Sequence, residues 1–126
     1  MNHGHSISRM HSDDPVEDKL TVVMALNELL RKEKAVVQIG FTRTRQIGVE
    51  GEFEIWCRSV NEPIDFEYGV VVVMDGNPED GDDDLTRDAD RLSEEGCEPI
   101  ALLRVRSECD DLDECHGLIF YKKPKG

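Results

Sequence analysis

Residues 66–78 read Phe-Glu-Tyr-Gly-Val-Val-Val-Val-Met-Asp-Gly-Asn-Pro, and the four consecutive valines Val70–Val73 decide the fold class. An unbroken β-branched run of this kind predicts a central strand, about Phe66–Met74, covered on both faces. Asp75-Gly76-Asn77-Pro78 ends it with a turn signal. Beyond the turn, Leu85, Ala89 and Leu92 mark the apolar stripe of a helix from about Asp84 to Glu95, with acidic residues in its first turn and Gly96 as its stop. A further strand, about Pro99–Arg106, carries Ile100, Ala101, Leu102, Leu103 and Val105. Strand, helix and strand in this order imply a right-handed crossover between two parallel strands.

Working outward, Val36–Arg45 and Glu52–Val60 read as a hairpin with one solvated face. In the first of these strands Val37, Ile39 and Phe41 share the apolar face; in the second, Phe53, Ile55 and Cys57 alternate with Glu52, Glu54, Trp56 and Arg58. A first helix precedes them. Asp14 is placed to cap it, Pro15 suits its first position and Glu17 completes the capping-box spacing. Leu20, Val23, Leu26, Leu29 and Leu30 form its apolar face, and Arg31, Lys32 and Lys34 oppose its dipole. After an acidic loop, Ser107–Gly117, a short final strand spans Leu118–Lys122, and Lys122, Lys123 and Lys125 read as a solubilising basic end. Residues 1–13 show no periodicity and are expected as a flexible tail. The expectation is an α+β fold of order α-βββ-α-ββ. It places one layer of antiparallel or mixed sheet between helices and treats residues 14–126 as a single α+β domain.

At 126 residues the chain is long enough to bury a core without metals or disulfides. It has no apolar run of membrane-spanning length and no secretory signal pattern, so a cytoplasmic location is expected. The four cysteines, Cys57, Cys97, Cys109 and Cys115, then read as thiols. The charge is lopsided. Residues 1–60 carry 9 acidic and 8 basic side chains, and residues 61–126 carry 19 and 7, so nearly all of the net −13 belongs to the second half. A field of that sign repels nucleic acid and anionic lipid and attracts basic partners.

The Asp75–Gly81 stretch fails the calcium-loop pattern, because its glycine falls one position late and no glutamate stands at the twelfth. Calcium at Asp80 and Asp82–Asp84 would be weak. Cys109, Cys115 and His116, with Cys97 as a fourth ligand, would make a zinc set, but Cys-x5-Cys is not a zinc-knuckle spacing. His3, His5 and His11 are the remaining imidazoles, all in the expected tail, where any metal binding is expected to be adventitious. No phosphate-cradling glycine loop or nucleophile elbow is present. No cofactor or metal is therefore expected.

The order of helix, three strands, helix and strand resembles that of the restriction-endonuclease-like nucleases, and Gly51-Glu52-Phe53-Glu54-Ile55-Trp56 resembles the acidic second strand of that family. The resemblance implies a divalent-metal site using Glu54 and, at the end of the third strand, Asp75. The family's acid-x-Lys pair is replaced here by Val73-Met74-Asp75, which removes one metal ligand and the catalytic lysine. Two readings follow. The first is a small acidic, non-enzymatic interaction or regulatory protein that docks a basic protein surface, in the manner of an inhibitor mimicking nucleic-acid charge. Its contacts would come from Glu79, Asp80, Asp82, Asp83, Asp84, Asp110, Asp111, Asp113 and Glu114. Direct nucleic-acid or membrane binding is not expected of it. The second is a divergent metal-dependent nuclease using Glu54 and Asp75.

Overall fold

A computed structural model of the chain describes residues 5–44, 50–75, 84–105 and 115–125. The elements run β1 (His5–Ser12), α1 (Lys19–Arg31), β2 (Lys34–Arg43), β3 (Gly51–Ser59), β4 (Phe66–Asp75), α2 (Asp84–Glu94), β5 (Glu98–Val105) and β6 (Cys115–Pro124). The fold is α+β, with two three-stranded antiparallel sheets where one layer was expected. Sheet A has the order β1-β3-β2 and sheet B the order β4-β6-β5.

The expected tail is the first point of difference. His5–Ser12 forms β1 and pairs antiparallel with β3, from His5 opposite Arg58 to Ser12 opposite Gly51. Its core-side positions are mostly small hydroxyls that find partners. Ser6 Oγ lies 3.1 Å from Cys57 Sγ, and the buried Ser12 donates to Asp18 Oδ2 at 2.6 Å. That bond occupies the carboxylate at the helix N-cap, and α1 starts at Lys19 rather than near Pro15. Asp14 serves the preceding turn instead, accepting the Val16 and Glu17 amides at 3.0 and 3.3 Å. The buried face of α1 is Val22, Leu26 and Leu30, with Val23 and Leu29 packed beside it, while Leu20 faces solvent.

In sheet A, β3 behaves as expected. Phe53, Ile55 and Cys57 are buried, and Glu54, Trp56 and Arg58 lie on the opposite face. The β2 strand departs at one residue. A register shift between Val36 and Gln38 inserts Val37 as a bulge, which turns it outward and leaves it 53% exposed. Val36, Ile39 and Phe41 pack on the core instead.

The central strand of sheet B is β6, with β4 and β5 antiparallel on either side of it. The valine strand is therefore a flanking strand. It is nevertheless covered on both faces, since Val70 and Val72 join the main core while Val71 and Val73 pack beneath α2 with Leu92 and Ile119. The two strands of the β-α-β unit run parallel to each other as expected, but β6 is inserted between them. Leu118, Ile119 and Phe120 are each fully buried, with Leu118 and Phe120 toward α1 and sheet A and Ile119 toward α2.

At the end of α2, Gly96 has φ +89°, and an added Cβ would meet no atom within 4 Å. The cost of Gly96→Ala is thus confined to the left-handed backbone, about 1 kcal/mol. A drop of a few degrees in Tm by calorimetry is expected. An unchanged Tm would contradict this helix terminus.

Candidate docking surface

The strand directions of sheet B gather the acidic sequence at one end. Chain leaves β4 at Asp75 and enters α2 at Asp84; it leaves β5 at Val105 and enters β6 at Cys115. In the ladder Asp75 is opposite Cys115, and Val105 is opposite His116. The strand ends that flank the two acidic stretches, Glu79–Asp84 and Glu108–Glu114, therefore lie at the same end of the sheet. Glu79, Asp80, Asp82, Asp83, Asp110, Asp111, Asp113 and Glu114 themselves lie outside the described residues, whereas Asp84 is the first residue of α2. The N-terminus of α2, the positive end of its dipole, begins at Asp84, where the chain returns from the first of these stretches. Along α2, Asp90 and Glu94 are exposed and Arg91 is paired with Asp88, which raises the guanidinium pKa through their hydrogen bond.

The opposite end of sheet B carries the lysines. Lys122 lies 3.0 Å from Glu98 and 5.0 Å from the centre of the Phe66 ring, and Lys123 lies 3.4 Å from Glu67. These residues belong to β6 and make cross-strand pairs, so they are not the free solubilising end that the sequence suggests. The acidic and lysine-bearing ends are separated by the length of the strands, about 25 Å for eight residues.

The same geometry dismantles the four-ligand zinc set. Cys97 precedes the start of β5, at the lysine end, while Cys115 and His116 open β6 at the acidic end. Cys97 cannot complete a site with them, since zinc ligands stand about 2.0–2.3 Å from the ion. Its half-buried side chain instead packs against the α2 cluster. Cys109 lies outside the described residues.

Glu54 and Asp75 are not brought onto one sheet. Glu54 belongs to β3 in sheet A and accepts the Trp56 indole N–H at 3.0 Å. It lies on the face opposite Phe53 and Ile55, whose side chains point to the core shared with sheet B. Asp75 ends β4, in sheet B. The Glu54 side chain thus lies on the face of sheet A turned away from that shared core. Three hollows among the described residues measure about 250, 240 and 260 Å³, and none is lined by Glu54. They fall below the 300–1,000 Å³ typical of ligand pockets.

One set of groups that sequence reading missed comes together on sheet A. His11, Asp13 and Glu50 place an imidazole nitrogen and two carboxylate oxygens within 4.8 Å of one another. The signal was present in the sequence only as a histidine and an aspartate two residues apart, and it acquires meaning once β1 is paired with β3. No helix among the described residues is long and apolar enough to cross a membrane. No family model, curated protein or solved structure matches the chain.

Proposed function

We propose that this chain is a non-enzymatic interaction protein that docks a basic protein surface through the acidic end of sheet B. One observation carries the reading: two acidic segments, far apart in sequence, are anchored on paired strand ends. Charges on both segments would then act on one region rather than being spread over the molecule. The partner class that suits such a cluster is a protein whose basic groove otherwise holds nucleic-acid phosphates. There the carboxylates of Glu79–Asp84 and Asp110–Glu114 would take the place of phosphate charges. The thiols of Cys57 and Cys97 suit a reducing, cytoplasmic setting.

The test begins with capture on the full chain from native-host lysate and identification of the bound protein. Association kinetics follow across a salt series. Changing Glu79, Asp80, Asp82, Asp83 and Asp84 together to Gln or Asn is expected to slow association about tenfold or more at low salt, with a smaller change in dissociation. The exposed acids Glu62 and Asp65, before β4 at the other end of sheet B, provide the comparison. Glu62→Gln with Asp65→Asn is expected to change association little. Duplex DNA should compete with the chain for the partner. Equal slowing by both sets, or no slowing by either, would overturn the proposal.

A further inference from the structure

We propose that His11, Asp13 and Glu50 form a binding site for a divalent transition-metal ion, with Zn²⁺ and Mn²⁺ as suitable occupants. The site is on sheet A and is independent of the acidic end of sheet B. Pairing of Ser12 with Gly51 closes the β1–β3 ladder, and Asp13 and Glu50 are the next residues outward on the two strands. The His11 ring lies near both, so the three side chains come together from the ends of two paired strands.

His11 and Asp13 are within hydrogen-bond distance, and the spacing of all three groups is also compatible with a shared cation. His11 Nε2 lies 2.9 Å from Asp13 Oδ1 and 3.7 Å from Glu50 Oε1. One ring nitrogen carries at most one proton, and Asp13 is placed to accept it. Glu50 at 3.7 Å is outside hydrogen-bond length. Two carboxylates thus approach one ring nitrogen from the ends of two strands. A metal ion with bonds of about 2.0–2.2 Å holds its adjacent ligand atoms roughly 3–3.5 Å apart, so small side-chain rotations are enough to admit it. The remaining acid nearby is already engaged. Glu52 stands opposite His11 in the ladder but is held by Arg9 at 3.5 Å.

The donor set fixes the chemical class. One imidazole nitrogen with two carboxylates suits zinc, manganese, cobalt or nickel. The imidazole disfavours calcium and magnesium, which take oxygen ligands. Side chains of His11 and Asp13 are exposed, which leaves further coordination positions to water. An ion there would tie the end of β1 to the start of β3, where the chain turns toward α1.

The experiment is calorimetric titration of the full chain with Zn²⁺ and with Mn²⁺ at pH 7.4 and 5.5. One ion per chain is expected at pH 7.4. Binding should weaken at pH 5.5, because protons compete with the metal for its ligands. H11A, D13N and E50Q should each weaken binding about tenfold or more, and E52Q should leave it unchanged. His3 and His5 provide the control against casual binding by the first residues, and H3A/H5A should retain the site. Circular dichroism checks that each variant is folded. Bound Mn²⁺ should also broaden the amide resonances of Ser12 and Gly51 most strongly. The proposal is overturned by absence of binding to the wild-type chain. It is equally overturned by full affinity in H11A, by loss in H3A/H5A, or by broadening centred elsewhere.

Discussion

Phe120→Ala is expected to lower unfolding stability by about 3–5 kcal/mol, the range for deleting a buried aromatic ring. Phe120 is fully buried on the central strand of sheet B. Its ring meets Phe53 of sheet A edge-on at 6.3 Å, and Phe53 in turn packs on Phe41 at 4.8 Å. The cavity would therefore open where the two sheets share their core, and neither sheet can close on it without moving the other. Against a total of about 5–15 kcal/mol for an ordinary domain, this loss is a large fraction. Urea unfolding should show a lower midpoint with a similar slope. Val72→Ala provides the comparison, because Val72 is half-buried on a flanking strand and should cost less. The reverse ranking would contradict the position of β6 at the centre.

That comparison isolates why the valine strand misled. The rule that an unbroken apolar run is covered on both faces holds for Val70–Val73, but it does not fix strand order. Leu118-Ile119-Phe120-Tyr121 is an equally unbroken run. Its setting between an acidic loop and a lysine pair made it read as a short terminal strand. Strand order depended instead on pairings distant in sequence, such as Val70 with Phe120 and Ala101 with Phe120. A local feature that agrees with that order is Gly69. An added Cβ there would stand 2.6 Å from Tyr121 Cζ, so the flanking strand leaves room for a ring of the central one.

Other elements were legible to differing depth. The alternation in β3 and the stop of α2 at Gly96 follow from local rules, because burial and backbone handedness act within a few residues. β1 lacked such a signal. Ile7 and Met10 are its apolar residues and they fall on opposite faces, with Ile7 39% exposed. The strand is held by its ladder to β3 and by Ser6 and Ser12, and hydroxyl partners leave no period in hydropathy. Val37 failed for a related reason, since a bulge shifts the period by one residue and reverses the face. The acidic composition of the candidate surface was plain from the chain, whereas the adjacency of the strand ends that flank its two segments required the antiparallel register of β6.

The bulge also leads to the second large effect. Where the ladder shifts between Val36 and Gln38, the Val36 N–H is bonded by Tyr68 from across the core, with N···O 2.8 Å to the phenol oxygen. The Tyr68 backbone is fixed in turn by Asn27 of α1, which accepts the Tyr68 N–H at 2.9 Å and donates to its carbonyl at 3.4 Å. One tyrosine thus ties β2, β4 and α1 together. Tyr68→Phe keeps the ring and removes the acceptor, which leaves a half-buried amide without this partner. The expected loss is about 1–3 kcal/mol, more than the net worth of an ordinary hydrogen bond. The pH dependence gives an independent check. Burial is the main cause raising the Tyr68 pKa above 10, with the Val36 amide opposing it and Cys57 adding to it. A raised folded-state pKa means that the folded chain keeps this proton longer than the unfolded chain does. The associated stability is present below pH 10 and is lost as pH rises from there through the folded-state value. Alkaline denaturation should therefore be steeper in the wild type than in Tyr68→Phe, which has no phenol to ionise at this position. If the two proteins lost stability in parallel above pH 10, the phenol would have no part in the alkaline transition. If Tyr68→Phe matched the wild type at neutral pH, the bond to Val36 would contribute nothing to joining the sheets.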